Sequence, residues 1–197
     1  MISKEEARTQ FNHWTKKLSL KHAFTFDEMW DYMMDRREGK LKVLPDKQGY
    51  RQGITNFENK MRSIPGAIIT GVEVDRTNPV KHTFAGGCYI REIFNPKGEL
   101  IVTKIHKVTH PYFLLKGDMS ILTEEGPKRY RAPYWGITKL GTKRVIYTHE
   151  ECVFVTVHAT KQVTVESAED ELIAKDFSEV DKLEAKNFID VVLKKEG

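Results

Sequence analysis

The chain has 197 residues, a length that suits one domain with appendages better than two full domains. Hydrophobic residues make up 40%, enough for a real core. Lys plus Arg is 32 and Asp plus Glu is 28, a formal charge of +4 spread along the chain without a basic block interleaved with aromatics, which argues against a nucleic-acid footprint.

Residues 1–66 read as a helical N-terminal extension. Ser3 and Glu6 fit a capping box, and Ala7, Phe11, Trp14 and Leu18 form one apolar stripe. A second helix starts near Thr25, buries Phe26, Trp30 and Met33 or Met34, and stops at Gly39. A third carries Tyr50, Ile54, Phe57 and Met61 on one face and closes at Pro65-Gly66. His13 and His22 lie here without partner ligands and read as surface or capping residues.

Residues 67–160 read as β structure. Ala67 to Val74 is rich in β-branched residues, and His82 to Phe94 alternates well enough for one strand, with a bulge at Gly86-Gly87. Asn95-Pro96-Lys97-Gly98 is a turn, and Leu100 to Val108 the next strand. Tyr112 to Leu115 and Met119 to Thr123 flank a tight hairpin at Lys116-Gly117-Asp118. After a turn at residues 124–127 come Lys128 to Ala132, Tyr134 to Lys139, Lys143 to Thr148 and Cys152 to Ala159. About nine short strands with turns between them predict an antiparallel sandwich or barrel. No strand–helix–strand alternation follows residue 67, which argues against a parallel α/β sheet.

Residues 161–197 return to helix. Ser167 caps a short helix carrying Leu172 and Ile173, and Ser178 caps another with Val180, Leu183, Asn187 or Phe188, and Val191. Lys194-Lys195 suit its C-terminal dipole. This tail is expected to pack on the barrel or on a partner subunit.

Cys88 and Cys152 are far apart in strand-like runs, so they form neither a disulfide framework nor a zinc cluster. Two reduced, buried core residues are expected. The N-terminus, MISKEEARTQ, has no apolar signal region, and no run approaches the ~18 apolar residues of a membrane helix. The chain is therefore expected to be soluble and cytoplasmic.

Gly98, His106, His110 and Gly117, followed by Ala132-Pro133-Tyr134-Trp135-Gly136, carry a resemblance. From about Thr83 to Thr160 the chain resembles the cupin superfamily, small jelly-roll barrels with two loose motifs: a Gly, His-x-His, a Glu and a Gly, then a Pro, a Gly and a His. The segment REIFNPKGELIVTKIHKVTHPYFLLKGDMSILTEEG is also similar to cupin-like proteins of tailed bacteriophages. The resemblance implies a mainly β fold, an antiparallel cupin-type jelly-roll barrel, and often a bound metal and a homodimer. This sequence departs from the pattern in three ways. His106-x-x-x-His110 replaces His-x-His, residues 111–116 hold no carboxylate, and no His follows Gly136 in Ile137, Thr138 and Lys139.

His106 and His110 have the same parity along a strand, so both could point inward as ligands for a divalent transition metal (Fe, Mn, Ni or Zn). His158, which shares parity with Phe154 and Thr156, is the candidate third ligand, with His82, His149 and Glu92 in reserve. The alternative is three separate, hydrogen-bonded histidines in a ligand pocket or on its rim. Arg91 in its strand could clamp an anion, or form an exposed cross-strand pair beside Glu92. Lys143 and Arg144 could steer an anion at a loop mouth, or be surface charge. Tyr134 and Trp135 could stack on a ring, or pack against helices. Arg91, Glu92, Tyr112, Trp135 and Arg144 are thus the candidate ligand-binding set. No Ser/His/Asp order, P-loop or dinucleotide fingerprint is present. Three functions remain open: a cupin binding a metal or small molecule without catalysis, a metal-dependent oxygenase or isomerase, and an interaction scaffold.

Overall fold

The computed structural model of the chain describes residues 47–63 and 76–193. The two helices expected within residues 3–39, His13, His22, Pro65-Gly66, the strand expected at 67–74 and Lys194-Lys195 lie outside the described residues.

Helix α1 (Lys47–Arg62) is the expected third helix. Its apolar stripe of Tyr50, Ile54 and Phe57 is buried, with Met61 packed alongside. Strands follow in chain order: β1 (Val80–Ala85), β2 (Cys88–Asn95), β3 (Leu100–Val102), β4 (Ile105–His106), β5 (His110–Lys116), β6 (Asp118–Thr123), β7 (Gly126–Arg131), β8 (Tyr134–Thr138), β9 (Val145–Thr148) and β10 (Cys152–Ala159). Then come helix α2 (Val165–Leu172), strand β11 (Ile173–Ala174) and helix α3 (Phe177–Leu193).

The pairing is that of one long ribbon, rolled up. Glu124-Glu125 turns β6 into β7, with Thr123 opposite Gly126. Moving away from that turn, β5 pairs with β8, β3 with β9 and β2 with β10, all antiparallel. Rolling the ribbon brings β10 beside β5 and β9 beside β6. The result is two sheets, β1-β2-β10-β5-β8 and β3-β9-β6-β7. This is an antiparallel jelly roll. The sheets face each other across Tyr112, Leu114 and Phe154 on one side and Met119, Ile121 and Ile146 on the other, without closing into a continuous hydrogen-bonded barrel.

Three expected elements differ. The segment 82–94 is a hairpin rather than one strand. Gly86 and Gly87, at φ of 56° and 77°, form its two-residue turn, which needs positive φ at both positions. The segment 100–108 breaks into β3 and β4. Lys116-Gly117-Asp118 joins β5 of one sheet to β6 of the other, so it is a corner between sheets and not a hairpin.

The outer face of the smaller sheet is covered by α1, whose Tyr50, Ile54 and Phe57 meet Leu122, Val145 and Tyr147. The Tyr50 hydroxyl donates to the Lys143 carbonyl at 2.9 Å. Strand β9 is therefore buried on both faces, Val145 and Tyr147 under the helix and Ile146 in the interior. At one end, α2 packs Ala168 and Leu172 on Tyr89. Its N-cap is Thr164, which accepts from the Ser167 amide, rather than Ser167 itself. Likewise Asp176 accepts from the Ser178 and Glu179 amides at the start of α3, in place of the expected Ser178 cap. Strand β11 pairs with β4, so Ile173 belongs to a sheet and not to the helix. Both cysteines are free, Cys152 buried and Cys88 only half-buried. No helix among the described residues is long and apolar enough to cross a membrane.

Candidate metal centre

Alternation decides which side chains enter the interior. In β10, Cys152, Phe154, Thr156 and His158 are buried on one face, while the other carries half-buried Val153 and Val157 and buried Val155. Residues directly opposite on neighbouring strands share a face. Thr156 is opposite Tyr112 and Arg91, and His158 is opposite Tyr89. In β5, His110 and Tyr112 are buried on that face, and His110 lies opposite Thr138 of β8. The larger sheet therefore lines the interior with His110, Tyr112, Thr138, Thr156, His158 and Arg91.

His106 arrives from a different strand. The tail fixes it: His106 is the register partner of Ile173, and the Lys107 amide donates to the Leu172 carbonyl at 2.8 Å. The Gly141 amide donates to the His106 carbonyl at 2.8 Å. The shared-strand argument for His106 and His110 is thus corrected. The two histidines meet because the chain turns between β4 and β5.

The three imidazoles converge. One ligand nitrogen from each of His106, His110 and His158 lies within 4.8 Å of the others. Ring centroids are 4.4 Å apart for His106–His110, 4.0 Å for His110–His158 and 5.4 Å for His106–His158. His110 and His158 are each 2% exposed. Each of the three has a buried ring nitrogen without a hydrogen-bond partner: Nδ1 of His106, Nε2 of His110 and Nδ1 of His158. Buried polar atoms are normally paired, so an unpaired nitrogen on each of three clustered rings calls for a partner.

The chemistry of the cluster suits a cation. His110 Nδ1 donates to the Val108 carbonyl at 3.1 Å, which leaves the lone pair on Nε2, the orphaned atom. Burial first, and then the neighbouring imidazoles, hold His106 down at about 2 and His158 at about 3. Burial holds His110 at about 4, against the pull of its backbone bond. All three are neutral at pH 7 and present lone pairs, the form a transition metal needs. The residues therefore fit a divalent transition metal.

The other expected site residues divide. Tyr112, Arg91 and Arg144 line the interior near the histidines. Arg144 donates to the Thr138 hydroxyl and lies 4.7 Å over the Tyr112 ring. Arg144 is buried, and so is Lys143, whose Nζ meets Glu58 of α1 at 2.7 Å, so neither is a surface charge at a loop mouth. Glu92 is opposite Lys81 and Val155, on the outer face, one position out of phase with Arg91. Trp135 is 65% exposed on the outer face of β8, opposite Phe113. Neither is at the interior site. Nor are the reserve histidines. His82 Nδ1 lies 2.6 Å from the Tyr89 hydroxyl, and His149 Nε2 lies 2.7 Å from Ser120 Oγ. Thr138 and Thr156 were not singled out in the sequence, although the Thr156 hydroxyl is buried and unpaired. Its parity with His158 was the available signal.

No family model matches the chain, and no curated protein matches it. Solved structures that resemble it include cupins. Ectoine synthase from P. lautus is 13% identical over 53% of this chain and 85% of its own, with a TM-score of 0.41. An RmlC-like cupin family protein with a double-stranded β-helix fold from Methanocaldococcus jannaschii is 18% identical over 47% and 89%, at a TM-score of 0.37. An acetylacetone dioxygenase from Acinetobacter johnsonii is 17% identical over 47% and 72%, at 0.36. At these scores the jelly roll is read from the chain's own strand order and register.

Proposed function

We propose that the chain is a cupin-type protein that binds a divalent transition metal through His106, His110 and His158. The observation that carries this reading is the convergence of three buried neutral imidazoles, each with an unpaired nitrogen, within 4.8 Å. A metal held there supplies Lewis-acid or redox chemistry to a bound small molecule. The residues prepare the site. Val108 fixes the His110 tautomer, β11 holds His106 in place, and burial keeps all three rings neutral.

Three protein ligands, with no fourth side chain beside them among the described residues, favour a catalytic over a purely structural metal, because structural sites are generally closed by four ligands. A metal-dependent oxygenase or isomerase is the second reading, supported by that ligand count among the described residues.

Metal analysis of the purified protein tests the first reading. About one equivalent of Fe, Mn, Ni or Zn is expected, lost in the His106→Ala/His110→Ala double variant while circular dichroism keeps its β signature. A metal-free wild type that takes up none of these ions on titration would end the proposal. For the second reading, a Co(II)-loaded protein whose visible spectrum is unchanged by added azide would have no open coordination position, and catalysis at the metal would be excluded.

A further inference from the structure

A second feature of the interior is electrostatic. Arg144 is 6% exposed. Its guanidinium has five N–H donors, and its one side-chain hydrogen bond among the described residues is to the Thr138 hydroxyl. The Tyr112 ring lies beneath it. Among the described residues no carboxylate pairs with it. A buried cation without a counter-charge is costly, and a hydroxyl and a ring face offset only part of that cost.

Arg144 does not face a sealed core. Together with Tyr112, Tyr130 and Ile121 it lines a cleft of about 80 Å³, whose outer wall includes Glu125, Lys128 and Lys139. The two lysines both pair with Glu125, at 3.3 Å and 2.8 Å, so those wall charges are largely used on one another. Glu124 also lies on the lining, and it disfavours a multiply charged anion. On the lining of this cleft the buried charge left for a ligand is the guanidinium of Arg144. Its fork geometry matches a carboxylate bidentately, and one unit of negative charge balances it.

We propose that this cleft binds a small carboxylate-bearing molecule, with Arg144 as its charge partner and the Tyr112 ring as its floor. The site adjoins the histidine cluster through Thr138, which accepts from Arg144 and is the register partner of His110. It does not depend on a metal.

Propionate, a monoanion, is the probe, titrated into chelator-treated, metal-free protein, so failure here and failure of metal binding are separate results. Propionate is expected to raise Tm and to shift the Arg144 Nε–H signal in the NMR spectrum of the wild type, while uncharged propionamide does neither. Arg144→Met keeps the volume of the side chain and removes the charge. It is expected to weaken propionate binding roughly tenfold or more. Equal responses to propionate and propionamide, an unmoved Arg144 signal, or undiminished binding by a folded Arg144→Met protein would each overturn the proposal. Tighter binding of inorganic phosphate than of propionate would overturn the carboxylate assignment. The wild-type NMR measurement stands even if Arg144→Met does not fold.

Discussion

Gly117 shows how much one residue can hold in this fold. Its φ is +94°, and a Cβ built there would lie 2.2 Å from the Glu151 carbonyl oxygen and 2.7 Å from Cys152 Sγ. Both the conformation and the space exclude a side chain, and the carbonyl is backbone that cannot step aside alone. Gly117→Ala is therefore expected to destabilise the protein by about 3 kcal/mol or more, read as a drop in the urea midpoint. Gly98→Ala, at φ +82° with nothing within 4 Å of the new Cβ, is expected to lose only about 1 kcal/mol. Both glycines were legible in the sequence as turns. The difference between them was not, because it lies in residues 151–152, which approach only after the ribbon has rolled. The histidines make the same point. His106 and His110 were found from a strand parity that β4 and β5 do not share, and for His158 alternation gave its companions Phe154 and Thr156 but not which face of the strand turns inward.

Among the elements, β6 and β7 are joined by more than their ladder. Asp118 begins β6 and is 3% exposed. Its carboxylate accepts from Arg129 Nε and Nη2 and from Arg131 Nε, each at 2.8 Å, the residues two and none out of register on β7. Burial pulls the Asp118 carboxyl upward, but the two guanidiniums outweigh it, and the group sits below its ordinary value. A lowered carboxyl stabilises the fold above the ordinary carboxylate range and loses that contribution as pH falls through the folded value. His149, beside this cluster, is held down to about 4 from an ordinary 6.5, chiefly by burial. The unfolded chain therefore takes up a proton there first, and stability already declines as pH falls from 6.5 toward 4. Urea midpoints measured from pH 7 to pH 3 are expected to fall throughout. Asp118→Asn is expected to start lower at pH 7, by on the order of 3 kcal/mol, and to lose the steepest part of the acid limb. An acid limb of unchanged slope in Asp118→Asn would show that these bonds contribute no net stability. The sequence showed β6 and β7 as separate strands and their turn at residues 124–127, but not this cluster. Arg129 and Arg131 meet their shared partner only through the β6–β7 register, which the sequence does not display.

At the scale of the molecule, the C-terminal tail is part of the site. Helix α2 sits on Tyr89 by way of Ala168 and Leu172, and the chain then runs directly into β11, which pairs with the strand that carries His106. Helix α3 continues to α1, with Arg51 to Asp181 at 2.6 Å, Lys47 to Glu184 at 2.7 Å and the Arg51 guanidinium 4.7 Å over the Phe177 ring. One member of the histidine cluster, His106, is thus held from outside the jelly roll, whereas His110 and His158 belong to its larger sheet. The sequence predicted the tail's helices and left open whether they pack on the barrel or on a partner subunit. It did not reveal β11, because two residues carry no readable period. Leu172 and Leu114 provide a matched comparison. They are 2% and 1% exposed, and truncating either to Ala is expected to cost about 2–5 kcal/mol from the same loss of buried side chain. Leu114 packs in the core between the sheets, and Leu172 holds the segment that pins β4. If the tail positions His106, Leu172→Ala lowers metal affinity beyond its effect on stability, and Leu114→Ala does not. Isothermal titration of the two metal-free variants, at a temperature where both remain folded by circular dichroism, checks this. Equal affinities would mean that β4 keeps His106 in place without the tail.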